Sequence, residues 1–258
     1  MNVAQEKFTR QTITHLHTWT PSLFSFRCTR DVGFRFTAGQ FARLGVRKAS
    51  GAIVWRGYSM VSSPFDEFLE FFSIVVPGGE FTSELSQLAV GDEILIEKQA
   101  HGFLTLDRFV DGDNLWLLST GTGVAPFLSM LQDFEVWQRF QRIILVYSVR
   151  TSAELAYGDL LAEIVTREYV AGYADKFTFV PVVTREAVSG CLGTRITDLL
   201  ISGELERFVD LPMEADNSRV LLCGNPEMVE DCRMLLQKRD MQLSLTRKPG
   251  AVAVENYW

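Results

Sequence analysis

A change of hydrophobic period near residue 102 is the strongest constraint on what this chain can fold into. Before it, short segments such as "LFSFRC", "FARLGV", "FLEFFSIVV" and "EILIEK" are rich in β-branched and aromatic residues and partly alternate. Gly and Asp punctuate them in "DVGF", "VPGG" and "VGDE". Such segments read as strands joined by turns, and about six of them in one block predict an antiparallel Greek-key β-barrel. One helical patch interrupts the block, with Phe81, Leu85 and Leu88 recurring at i, i+4 and i+7.

Beyond that point strand and helix patterns alternate. "LWLLS" is followed by helical "APFLSMLQDFEVW", with Phe127, Met130, Leu131 and Phe134 on one face. Strand "RIILVYSV", helical "SAELAYGDLLAEIVTREY", strand "FTFVPVV", helical "RITDLLISGEL", strand "RVLLCG", helix "PEMVEDCRMLLQKRD" and strand-like "AVAVEN" complete the chain. Alternation of this kind predicts a doubly wound parallel sheet, because parallel neighbours need a crossover between them. With the boundary in "KQAHGFLTLDR", the expected organisation is a barrel domain over residues 1–101 and an α/β domain over 102–258.

Composition narrows the function. A formal net charge of −7 argues against whole-surface binding to nucleic acid. No apolar run approaches the roughly 20 residues that span a bilayer, and "MNVAQEKFTR" lacks the apolar core of a secretory signal. Cys28, Cys191, Cys223 and Cys232 are scattered without a CxxC pair or iron–sulfur spacing. A reduced, cytoplasmic setting with no metal site is the expectation.

Several motifs carry chemistry. "STGTGVAP" lies between a strand and a helix, so Gly121, Thr122 and Gly123 form a turn that can present backbone N–H groups to a phosphate. Pro126 suits the first helical turn. The turn is GxGxxP, which an ordinary strand-to-helix loop also satisfies. Arg150 follows one parallel strand, Arg185 follows the next in "VVTRE", and Arg195 opens a helix in "GTRITD". Ligands of open parallel sheets sit at the carboxyl ends of strands. The three guanidiniums therefore suit a 2′-phosphate, the group that separates NADP from NAD, though isolated surface arginines would look the same. In "RGYS" an extended backbone puts Arg56 and Tyr58 on one face and Ser59 on the other. Such a pair suits a ligand with both a phosphate and a flat ring, and also suits an edge strand of mixed exposure. The chain ends in Tyr257 and Trp258, two aromatics that need a core, a partner or a flat ligand to order them.

Taken in order, "RGYS", "VVPGGEFTSEL", "STGTGVAPFLSM", "LLCGNPEMVED" and the terminal "VENYW" closely resemble the bacterial branch of the ferredoxin/flavodoxin–NADP reductase family. The resemblance covers essentially the whole chain. It implies a barrel that holds FAD and a second domain that binds NADP(H). It further implies that Arg56 neutralises the FAD pyrophosphate, with Gly57 beside it. Tyr58 would stack on the isoalloxazine and Ser59 would bond near its reactive nitrogen. Phe72, Ser73 and Ile74 would line the flavin, and Phe81, Thr82 and Ser83 would hold the pyrophosphate on backbone N–H groups.

By the same resemblance, Thr122 would lie against flavin and nicotinamide. Arg150, Thr184, Arg185 and Arg195 would grip the 2′-phosphate. Cys223 and Gly224 would stand on the nicotinamide side, and Glu255 would place a carboxylate near the hydride-transfer site. Tyr257 would cover the second flavin face and gate the nicotinamide, and Trp258 would stack on the FAD adenine.

The implied reaction is hydride transfer between NADP(H) and FAD, then single-electron exchange with a ferredoxin or flavodoxin. Arg43, Arg47, Lys48, Arg247 and Lys248 are the candidate docking cations. Other readings are a free flavin reductase, an oxygenase reductase component, or a non-catalytic flavin-binding regulatory subunit.

Overall fold

The computed structural model describes residues 7–245 and 247–256, so the expectations placed on Tyr257 and Trp258 lie outside the described residues. Six strands make up the first half: β1 (Phe8–Thr20), β2 (Leu23–Thr29), β3 (Phe41–Arg47), β4 (Ile53–Ser59), β5 (Phe68–Ile74) and β6 (Glu93–Glu97). They run in the spatial order β4-β3-β6-β1-β2-β5, each antiparallel to its neighbour. The outer strands meet at a bridge between Met60 and Phe71, which closes the sheet into a barrel. Its interior holds Ile13, Phe26, Leu44, Phe71 and Ile96. The short helix α1 (Glu80–Leu85) sends Phe81 and Leu85 into the same core. Leu88 lies past the end of α1 and still packs on that core.

The second half has five strands: β7 (Asn114–Thr120), β8 (Arg142–Val149), β9 (Phe177–Val183), β10 (Ser218–Gly224) and β11 (Val252–Asn256). All pairings are parallel, in the order β11-β10-β7-β8-β9. Helices cover both faces, which is why β7, β8 and β10 read as nearly unbroken apolar runs. On one face lie α2 (Ala125–Leu131), α3 (Phe134–Arg139), α4 (Gly158–Ile164) and α5 (Glu168–Ala171). On the other lie α6 (Ile196–Ser202), α7 (Glu204–Val209) and α8 (Pro226–Gln237).

Three stretches expected as single helices are each broken, for local reasons. Asp133 accepts the Glu135 N–H at 3.0 Å and so caps a new helix, dividing α2 from α3. Tyr157 adopts a left-handed φ of 65°, which delays α4 until Gly158. Gly203, at φ 68°, separates α6 from α7. The 3.6-residue period survives each break, so periodicity alone does not reveal it.

The two halves share a core. Leu23, Ala38, Val61 and Phe72 of the barrel pack with Leu128, Tyr147 and Tyr157 beneath the parallel sheet. Polar ties reinforce the seam: Ser129 Oγ donates to the Ser62 carbonyl at 2.8 Å, and Gln132 Nε2 donates to the Val61 carbonyl at 2.8 Å. From β7 the chain proceeds outward through β8 and β9, then returns to β10 on the other side of β7. The crevice between the carboxyl ends of β7 and β10 is where such a sheet binds ligands.

Candidate active site

Two cavities open along the seam and share a wall made of Ile74 and Thr122. The larger, of about 740 Å³, lies on the barrel side. The smaller, of about 400 Å³, lies across the carboxyl ends of the parallel strands.

The barrel cavity is lined by Arg56, Gly57, Tyr58 and Ser59 of β4, Phe72, Ser73 and Ile74 of β5, and Phe81 and Thr82 of α1. Tyr58 is half-buried, with its ring against Phe81 at 5.4 Å between centroids and edge-on to Phe71. Its hydroxyl and Ser73 Oγ lie 2.9 Å apart. Burial pushes the phenol up to about 12, so it stays neutral and hydrogen-bonding through the physiological range. Arg56 is exposed on the same wall. Strict alternation fails at the last residue of β4: Ser59 also borders the cavity, because it turns toward Glu255 of β11. Ser59 Oγ donates to Glu255 Oε2 at 3.5 Å. Burial pushes the Glu255 carboxyl up to about 7, against the opposing pull of that hydrogen bond.

The second cavity collects the strand-end residues. Thr120, Gly121 and Thr122 follow β7, Arg150 follows β8, Thr184 and Arg185 follow β9, and Gly224 and Asn225 end β10. Arg195, which immediately precedes α6, lies on the same wall. The ends of β8 and β9 are tied together: Thr184 N donates to the Val149 carbonyl at 3.1 Å and Arg185 N to the Arg150 carbonyl at 2.9 Å. Arg150, Arg185 and Arg195 are all exposed to the cavity side.

Across the switch point the backbones nearly touch. A Cβ on Gly123 would stand 2.5 Å from the Cys223 carbonyl oxygen, and one on Gly224 would stand 2.2 Å from Thr120 Oγ1. Gly224 also has φ +136°. Only glycine permits this approach at either position.

Three expected contacts lie off the cavity walls. Cys223 is fully buried, opposite Glu255 in the β10–β11 register. Gly123 lies under the end of β10. Ser83 is exposed, and its N–H is committed to the Gly79 carbonyl at 3.0 Å by the helix itself. Conversely, Phe41, Asn225, Glu227, Met228, Asp231 and Asn256 line the cavities without having been singled out. The strand-end rule was enough to find Asn225, whose side chain caps α8 by accepting the Glu227 and Met228 N–H groups at 2.9 and 3.1 Å. Phe41 is the cross-strand partner of Ser59, a pairing that needs the register.

The donor set fits a flavin dinucleotide. Phe41, Tyr58, Phe72 and Phe81 supply aromatic surface, and Arg43 and Arg56 supply positive charge in the same cavity. Two family models match the chain: the oxidoreductase FAD-binding domain over residues 14–102 and the oxidoreductase NAD-binding domain over residues 117–234. The ferredoxin–NADP reductase of Pseudomonas aeruginosa is 39% identical over 247 residues, covering 94% of this chain and 95% of its own. This chain belongs to the ferredoxin/flavodoxin–NADP reductase family. The flavodoxin/ferredoxin–NADP reductase of Escherichia coli K12 is 41% identical, covering 95% of this chain and 97% of its own. A crystal structure of the Neisseria gonorrhoeae reductase with bound FAD and NADP superposes with a TM-score of 0.91. It is 38% identical and covers 98% of this chain and 100% of that one.

The reductase fold explains the division of labour at the seam. The barrel cavity lies within the FAD-binding match except for Thr122, Glu255 and Asn256. The strand-end cavity lies within the NAD-binding match except for Ser22, Leu23 and Ile74.

Proposed function

We propose that this chain is an FAD-dependent ferredoxin/flavodoxin–NADP(+) oxidoreductase. The carrying observation is that the two cavities adjoin, with Ile74 and Thr122 lining both, so that a ligand in one can meet a ligand in the other. When bound, FAD would supply the exchange between the two-electron chemistry of NADP(H) and the single-electron chemistry of a ferredoxin or flavodoxin.

The residues divide the remaining tasks. Tyr58 offers a neutral ring to stack on the flavin, and Arg56 and the backbone of Phe81 and Thr82 hold its phosphates. Phe72, Ser73 and Ile74 form the floor. Arg150, Thr184, Arg185 and Arg195 receive the 2′-phosphate of NADP(H), and Gly121, Thr122 and Gly224 receive the cofactor's backbone and nicotinamide end. Gly123 lets the turn sit against β10. Ser59 and Glu255 form a polar pair beside the reacting edge, with the proton of Glu255 available near neutral pH. Cys223 acts as a small buried filler behind Glu255. The family resemblance gives Tyr257 the part of a gate for the nicotinamide, which substitution tests directly. Tyr257→Gly is expected to tighten NADP⁺ binding, read as a larger flavin difference spectrum.

We place the FAD-binding unit at 1–101 and the NADP(H)-binding unit at 102–258, a division supported by the gap between β6 and β7. A cytoplasmic location is consistent with Cys28, Cys191, Cys223 and Cys232 all being free thiols. The test is anaerobic addition of NADPH to the purified protein. Flavin bleaching, followed by reduction of ferredoxin or flavodoxin faster than of free flavin, is expected. A protein without flavin absorbance overturns the reading.

A further inference from the structure

The seam contains a polar contact that none of the cavity residues makes. Tyr157, between β8 and α4, belongs to the parallel-sheet half, yet its ring is buried against the barrel. Its hydroxyl donates to Glu70 Oε1 of β5 at 2.9 Å. Its ring lies edge-on to Phe72, with centroids 5.1 Å apart, and packs on Trp19 of β1 at 5.0 Å. Glu70 is buried and accepts Arg27 Nε on its other oxygen at 2.7 Å. Its backbone N–H donates to Ser62 Oγ at 3.0 Å, and Ser62 is the residue whose carbonyl accepts from Ser129. The carboxylate is therefore held from the barrel side before Tyr157 reaches it.

The geometry of β5 turns this contact into a lever. Glu70, Phe72 and Ile74 alternate onto one face of the strand. Tyr157 grips the first two, and Ile74 forms part of the wall between the cavities. Tyr157 also holds a left-handed backbone, φ 65° and ψ 20°, an unfavourable setting for a bulky residue. Such a conformation persists where the surroundings over-determine it.

We propose that Tyr157 is a positioning residue that fixes the angle between the two halves through Glu70 and Phe72, and so sets the distance between nicotinamide and flavin where the two cavities adjoin beside Ile74. The proposal rests on the reductase reading above. A hydride transfer is sensitive to sub-ångström misplacement, so a small rocking of one half slows it without disturbing either binding site.

The test is Tyr157→Phe in the full-length holoenzyme, which keeps the ring and removes only the hydroxyl. FAD content and NADP⁺ affinity are expected to match the wild type. The stopped-flow rate of flavin reduction by saturating NADPH is expected to fall by about tenfold, with loss of the long-wavelength charge-transfer absorbance that reports nicotinamide–flavin contact. A rate within about twofold of wild type overturns the proposal, even if Tm falls, because that result assigns Tyr157 to stability alone. Should Tyr157→Phe not fold, Glu70→Leu removes the same hydrogen bond from the barrel side and is read against the same two outcomes. The reductase reading fails separately, if the wild-type protein itself is not bleached by NADPH.

Discussion

Glu255 is the residue whose chemistry the fold changes most usefully. Its carboxyl is raised from an ordinary 4.5 to about 7 because it is buried at the seam. The folded state therefore binds a proton that the unfolded state has already released over that interval. The associated stability is fully present below about pH 4.5, and is lost as pH rises through 7. The raised value corresponds to about 3 kcal/mol across the interval. Glu255→Gln is expected to remove that loss, so that Tm of the variant falls less than Tm of the wild type between about pH 5 and pH 8. The same substitution is expected to remove a pH inflection near neutrality from the rate of flavin reduction by NADPH. An unchanged profile takes Glu255 out of the proton inventory of the site.

At the scale of elements, the site is the meeting of strand ends, and two predictions follow from how they meet. Gly224 closes β10 against Thr120, with no room for a Cβ. Gly224→Ala is expected to lower stability by about 2 kcal/mol or more and to lower kcat/KM for NADPH, as the ends of β7 and β10 separate. Thermal unfolding and steady-state kinetics measure the two effects. Arg195 enters the same cavity from the start of α6. Removing one charge-assisted contact to a phosphate costs about 1.5–3 kcal/mol, so Arg195→Ala is expected to raise KM for NADPH by about 10- to 100-fold. KM for NADH, which lacks the 2′-phosphate, is expected to stay unchanged. These strand ends were also the most legible part of the sequence. Apolar runs locate β7, β8, β9 and β10, position after a strand locates Arg150 and Arg185, and the family resemblance locates Gly224 at the end of β10. The helix break at Asp133 is a local cap that an unbroken apolar period masks, whereas the break at Tyr157 accompanies a contact with a strand 87 residues away that no local pattern signals. For the same reason Phe41 and the Ser59–Glu255 pair were invisible as geometry, because each joins residues that only register or tertiary folding brings together.

At the scale of the whole molecule, the net charge of −7 sets a problem for any acidic partner that must approach the flavin. The expected cationic patch is thinner than the sequence suggests. Arg43 is paired with Glu97 at 2.8 Å and Lys48 with Glu80 at 2.7 Å. Arg247 and Lys248 precede the amino end of β11, whereas Glu255 and Asn256 at its carboxyl end line the barrel cavity. Arg47, exposed at the end of β3, has no carboxylate partner among the described residues and spends one N–H on the Gly51 carbonyl at 3.4 Å. It is therefore one of the exposed cations on this side whose charge no neighbouring carboxylate of the described residues offsets. Exposed charges are screened beyond about 10 Å at 0.1 M salt, so electrostatic docking shows itself as a rate that falls with ionic strength. Reduction of a ferredoxin or flavodoxin is expected to slow with added salt, and Arg47→Glu to slow it further at low salt. Bleaching of the flavin by NADPH is expected to be the same in Arg47→Glu as in the wild type, because Arg47 lines neither cavity. A carrier rate indifferent to both salt and Arg47→Glu means that docking at this face is apolar, and that the surface charge of the barrel serves solubility alone.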